Sequence, residues 1–112
     1  MLPQQHRLVK KKDFELVFNK GESVKSGFLL VKLVKNNLSE NRFGFVVSKK
    51  ISTKATVRNK VKRRLRDAVD SRIKELKKPA DVVVIALSGI EKKDFLETKK
   101  MLLGGLKKIG IL

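Results

Sequence analysis

The sequence predicts a single-domain α+β sandwich with helices packed on a small central sheet. Three observations carry that expectation. In three segments apolar residues recur every three or four positions, and in three others they cluster in short branched runs; along the chain the order reads helix, strand, strand, helix, strand, helix. The length of 112 residues leaves room for one domain and no second module, so 1–112 is read as one unit. With 41% apolar against 35% charged residues, and the apolar ones in blocks, the chain has the material for a core and is not expected to stay disordered.

Residues 1–10 precede the first periodic segment and read as a mobile N-terminal stretch, with His6, the lone histidine, as a solvent-exposed bystander. In residues 12–19, Phe14 and Phe18 fall four apart on one helical face, and Gly21 stops the helix. The run from Phe28 to Val34 predicts a strand. The turn-forming cluster 36–41 follows, and Arg42 to Ser48 returns as a second strand, so the two form an antiparallel hairpin with a six-residue loop. From Thr56 to about Lys77 the residues Val57, Val61, Leu65, Ala68, Val69, Ile73 and Leu76 describe one long amphipathic helix, capped by Thr56 and closed by Pro79. Asp81 to Leu87 is almost continuously apolar, which places it in the middle of the sheet or under a helix. A last helix spans Glu91 to Lys108, weakened by Gly104 and Gly105.

Function is read first from charge. With 28 Lys+Arg against 11 Asp+Glu the chain carries a formal +17, which implies an anionic polymer or surface as partner. Between Glu40 and Asp67 there is no acidic residue, while the interval holds Arg42, Lys49, Lys50, Lys54, Arg58, Lys60, Lys62, Arg63, Arg64 and Arg66. Like charges at i,i+4 destabilise an isolated helix, so a compensating polyanion explains this stretch better than a merely solvated face. Arg58, Lys62 and Arg66 form one ridge of the helix and Asn59 and Arg63 the next, with Val57, Val61, Leu65 and Ala68 opposite as an anchor to the sheet. Arginine supplies bidentate recognition of phosphate; Asn59 can both donate and accept, so it can read a sugar hydroxyl or base edge.

Self-contained catalysis is not expected. The absence of cysteine excludes a thiol nucleophile, thiolate zinc sites, iron–sulfur ligation and disulfides. The carboxylates sit near helix ends or among lysines and suggest no metal cage, so no metal site in the protein is expected. No phosphate loop or Gly-x-Ser-x-Gly occurs. Without a signal-like or spanning apolar segment, the expected location is the cytoplasm.

The stretch Ser48-Lys49-Lys50, followed by Lys54-Ala55-Thr56-Val57-Arg58-Asn59-Lys60-Val61-Lys62-Arg63-Arg64-Leu65-Arg66-Asp67-Ala68, resembles the signature of the protein subunit of bacterial ribonuclease P. The family's Arg-Asn-Arg motif reads Arg58-Asn59-Lys60 here, keeping charge at the third position but losing the guanidinium fork. Asp13-Phe14 with Val17-Phe18, the strand pair and the Asp81 strand arrive in the family's order. The resemblance implies a ribonucleoprotein that removes the 5′ leader from precursor tRNA, with the catalytic RNA carrying the active site and its Mg²⁺. By the same resemblance Lys49, Lys50, Lys54, Arg58, Asn59, Lys60, Lys62, Arg63 and Arg66 would bind the RNA subunit. A cleft between the first helix and the sheet, with Phe14, Phe18 and Val31, would bind the leader. Val31 stands where the family often has an aromatic, so the leader contact would rest more on charge and backbone shape. For the two phenylalanines, core packing and cleft stacking stay open on spacing alone. The resemblance also implies a left-handed crossover through the long helix, where general strand geometry favours the right-handed hand in about 98% of cases.

Three other readings compete. A structural RNA-binding protein, ribosomal or chaperone, shares the charge and the missing chemistry; only the motif spacing separates it. A membrane-surface helix would want aromatic residues at its boundary, and the long helix has none. A DNA-bending protein lacks an apolar wedge.

Overall fold

The computed structural model describes residues 2–112; Met1, at the start of the segment expected to be mobile, lies outside them. In chain order the elements are α1 (Lys11–Lys20), β1 (Glu22–Ser26), β2 (Leu29–Lys35), β3 (Arg42–Val46), α2 (Ala55–Asp70), β4 (Ala80–Ala86) and α3 (Phe95–Ile109), with short 3₁₀ turns at Gln4–His6, Ile73–Glu75 and Ile90–Lys92. The sheet runs β1-β2-β4-β3, and the chain is an α+β domain with one four-stranded mixed sheet and three helices.

Strand pairing departs from the expected hairpin. β2 and β3 are not neighbours: β4 lies between them, antiparallel to β2 and parallel to β3. The apolar character of β4 explains this placement, because Val82, Val83 and Val84 are all fully buried and only a central strand hides both faces. The hairpin is instead β1–β2, closed at Ser26 and Leu29 by a two-residue turn whose first residue, Gly27, has φ +57°. Nothing in Glu22-Ser23-Val24-Lys25-Ser26 announced β1. As an edge strand it is held by backbone pairing and shows mostly polar side chains to water.

The long helix is shorter than its periodicity. It ends at Asp70, where Ser71 Oγ donates to the Ala68 carbonyl and competes with the helical ladder, so Ile73 and Leu76 reach the core from looser chain. Its start also differs: Lys54 takes the N-cap position, not Thr56, and no side chain caps the helix. α3 has the cap that α2 lacks, a reciprocal box between Asp94 and Glu97. Gly105 is no weakness there. It brings α3 so close to the sheet that a Cβ would lie 2.9 Å from a Val31 methyl.

The two sheet faces have separate cores. Leu29, Val31 and Leu33 of β2, Phe43 of β3 and Val82 and Val84 of β4 join Val61, Leu65, Val69, Leu102 and Leu106 of α2 and α3. Helix α2 leans chiefly on α3 and meets the sheet mainly at β3, so the anchor of the basic helix is more helical than expected. The opposite face carries α1 over a smaller cluster of Leu8, Val17 and Val83, with Phe14, Val34, Val46 and Ile85 partly buried around it.

The N-terminal segment is docked. Leu2 and Leu8 are buried, Leu8 N–H donates to the Phe43 carbonyl at 2.8 Å, and Arg7 forms a parallel bridge with Phe43. His6 is no bystander: its Nδ1 lies 2.8 Å from the Asn41 carbonyl and its Nε2 3.4 Å from Glu40. Burial of the two leucines along the β3 edge outweighs the cost of ordering this short stretch.

Candidate nucleic-acid interface

Helix α2 exposes one side because the Val61, Leu65, Ala68 and Val69 stripe is buried on the other. Of the residues expected on the RNA face, Lys49, Lys50, Lys54, Asn59, Lys60 and Arg63 are exposed, and Arg58, Lys62 and Arg66 are half-buried. Helix α2 carries six Lys and Arg side chains against two carboxylates, Asp67 and Asp70, both in its last turn. Asn59, Arg63 and Arg66 come together with Asp67 and Arg7 around a depression of about 340 Å³. Lys49, Lys50, Lys54, Arg58, Lys60 and Lys62 lie outside it. Arg58 has a structural partner: its Nη1 donates to the Ser52 carbonyl at 2.9 Å and ties the preceding loop to the helix. Arg64 likewise turns towards α3, donating to the Lys93 carbonyl at 2.7 Å.

The second expected site lies under α1. Phe14 and Phe18 separate there. The Phe14 ring rests in a slot above Gly44, where a Cβ would come within 2.3 Å of it, and belongs to the small core. Phe18 is 39% exposed, with the Lys32 ammonium 5.6 Å from its ring centroid. A core role for Phe18 is thereby excluded, while Phe14 both packs and borders a depression of about 200 Å³. Val31 has to be removed from this cleft. It is fully buried on the opposite sheet face, beneath α3, because side chains alternate along β2 and its neighbours Leu30 and Lys32 take the α1 face.

An ion-pair network seats α1. Arg42 on β3 forks onto Asp81 of β4, at 2.9 Å from Nε and 2.7 Å from Nη2, and its Nη1 lies 3.5 Å from Asp13 in the first turn of α1. Asn36 donates to the same Asp81 at 2.8 Å. The hydrogen bonds Arg42 donates to Asp81 hold its guanidinium above the ordinary arginine range; burial opposes this, and the charges of Asp81 and Asp13 add to it. Sequence reasoning took these carboxylates for surface groups. The available signal was Asp81 itself, a carboxylate heading an otherwise apolar buried strand, which requires a partner. Arg7 was missed as well, and Leu2 and Leu8 on either side of it were the hint that its segment docks.

Among the described residues, no three His, Cys, Asp or Glu side chains gather to hold a metal ion. Nor, among them, is any helix long and apolar enough to cross a membrane. Fold and exposed face together define a small, basic α+β RNA-binding protein. The family described as Ribonuclease P matches residues 2–110. The ribonuclease P protein component of Syntrophomonas wolfei is 36% identical over 111 residues, spanning 99% of this chain and 92% of that one. Among solved structures, the Staphylococcus aureus RNase P protein superposes with a TM-score of 0.88 at 29% identity, covering 95% of this chain and 96% of its own. That of Thermotoga maritima gives 0.83 at 34%, covering 91% and 96%. The chain belongs to the ribonuclease P protein family. It is a component of the tRNA-processing endoribonuclease whose activity resides in RNA, with RNA as its partner, and the reading as a ribosomal or chaperone protein is not favoured.

Proposed function

We propose that the exposed face of α2 packs on the catalytic RNA of ribonuclease P and that the cleft between α1 and the sheet takes the single-stranded 5′ leader of precursor tRNA. The observation that carries this reading is the cationic excess of α2: six Lys and Arg side chains stand against two carboxylates, and Asn59, Arg63 and Arg66 converge in one depression. Desolvating such an excess without a polyanion would cost free energy; phosphates supply the counter-charge and the bidentate geometry. Phe18 offers a half-exposed ring to a leader base, with Lys32 beside it for the backbone. Mg²⁺ belongs, on this reading, to the RNA subunit and its substrate, as the family resemblance implies. The setting is the cytoplasm, where precursor tRNA is made in a bacterium.

The test is precursor tRNA cleavage at low Mg²⁺ by the protein alone, by a bacterial ribonuclease P RNA alone, and by the two together. The pair should turn over faster and need less Mg²⁺ than the RNA alone, and the purified protein should cleave nothing. Cleavage without RNA would overturn the reading. Phe18→Ala should leave the melting temperature nearly unchanged and weaken binding of leader-bearing precursor by about 1 to 3 kcal/mol, with mature tRNA unaffected.

A further inference from the structure

Two depressions described above share a wall. The one on α2 is bounded by Arg7, Asn59, Arg63, Arg66 and Asp67; the one under α1 is bounded by Phe14, Gly44 and Phe45, among others, and again by Arg7 and Arg66. These two arginines come from distant parts of the chain and stand where the helix face passes into the cleft. The docked N-terminal segment fixes Arg7 there: its Nε donates to the Leu2 carbonyl at 2.9 Å, which holds the stem, and among the described residues its two terminal nitrogens have no protein acceptor.

We propose that Arg7, together with Arg66, binds the phosphate backbone of the leader nucleotides next to the cleavage site. The inference rests on the reading that α2 meets the catalytic RNA and the cleft takes the leader. The leader is covalently continuous with the tRNA, and the bond to be cut lies in the active site of the catalytic RNA. A strand running from that RNA into the cleft crosses the border between the two surfaces, and its first nucleotides pass the two arginines. Guanidinium groups suit this position because they grip phosphate in a fixed, bidentate geometry without reading the base, as a leader of any sequence requires.

The experiment uses holoenzyme reconstituted with a bacterial ribonuclease P RNA, comparing the wild type, Arg7→Ala and Phe18→Ala. Affinity is measured for mature tRNA, for precursor with a minimal leader, and for precursor with a leader long enough to reach Phe18; affinity for the RNA subunit is measured separately. Arg7→Ala should weaken binding of both precursors about tenfold, the minimal leader included, while mature tRNA and RNA-subunit affinity stay within about twofold. Phe18→Ala should act on the long leader alone. If the wild type shows no leader preference, the cleft reading itself fails. If the wild type prefers leaders and Arg7→Ala either spares the minimal leader or weakens only the RNA subunit, the placement of Arg7 is overturned and the cleft reading stands. Should Arg7→Ala lose its fold, Arg7→Gln keeps a donor for the Leu2 carbonyl without the charge and is read by the same criteria.

Discussion

Helix α2 and the seat of α1 use the same cationic chemistry in opposite ways. On α2, six arginines and lysines outnumber the helix's two carboxylates, Asp67 and Asp70, which sit in its last turn. At the seat of α1, one arginine faces two carboxylates and an asparagine amide completes the cluster, with the Asp81 side chain only 4% exposed. A charge satisfied inside the fold stabilises that fold and offers nothing to a partner. A charge left in excess costs stability through repulsion and becomes an attachment point for phosphate. The difference shows why a net charge says little until its pairs are known.

The largest expected effect falls on the side of the excess. If α2 and its neighbours neutralise six or more phosphates, RNA affinity should drop on the order of a thousandfold between about 50 and 200 mM salt, while the unfolding midpoint moves little. Titration of RNA affinity against salt checks this, and a flat log–log plot would mean the row on α2 does not meet phosphate. Next in size is Arg42→Ala, which leaves Asp81 buried and unpaired and should cost about 3 to 5 kcal/mol in chemical denaturation. A loss no larger than that of an exposed pair, about 1 kcal/mol, would erase the contrast between the two regions.

Gly44→Ala should cost about 1 to 3 kcal/mol of stability, because the new methyl collides with the Phe14 ring and lifts α1 from its slot. Arg63→Ala and Arg58→Ala sharpen the comparison within α2 itself. Arg63 is exposed, so its loss should weaken RNA binding by about 1.5 to 3 kcal/mol and leave the melting temperature alone. Arg58 donates to the Ser52 carbonyl, so its removal should lower both the melting temperature and RNA affinity. The smallest effect concerns pH. Because Arg42 is held above its ordinary range by Asp81, its contribution is fully present below the unfolded arginine value and lost only as pH rises through the still higher folded one. The stability gap between wild type and Arg42→Met should therefore stay flat from about pH 7 to 10.

Much of this was legible beforehand. The spacing of Val61, Leu65 and Ala68 placed α2 and its outward face, and the apolar run of β4 placed that strand at the centre, because burial on one face or two writes a period into the chain. The motif around Arg58-Asn59-Lys60 carried the family. Leader-cleft residues were less legible. Two phenylalanines at i,i+4 look alike in sequence, yet Phe14 fills the slot over Gly44 and Phe18 faces water, since a ten-residue helix lying on a twisted sheet buries only part of one face.

What the sequence determined by itself was the local and the compositional: a basic α+β domain, the helix that presents its charge, the buried central strand and the family. Tertiary structure alone decided the rest. It inserted β4 between β2 and β3, made an edge strand of Glu22–Ser26, turned Val31 away from the cleft, docked Arg7 beside Arg66, and closed Arg42 onto Asp13 and Asp81. The physical reason is common to all five. Periodicity reports how much of a segment is buried, whereas strand order, sheet face and ion-pair partners depend on contacts between residues distant in the chain, whose geometry exists only once the backbone has closed.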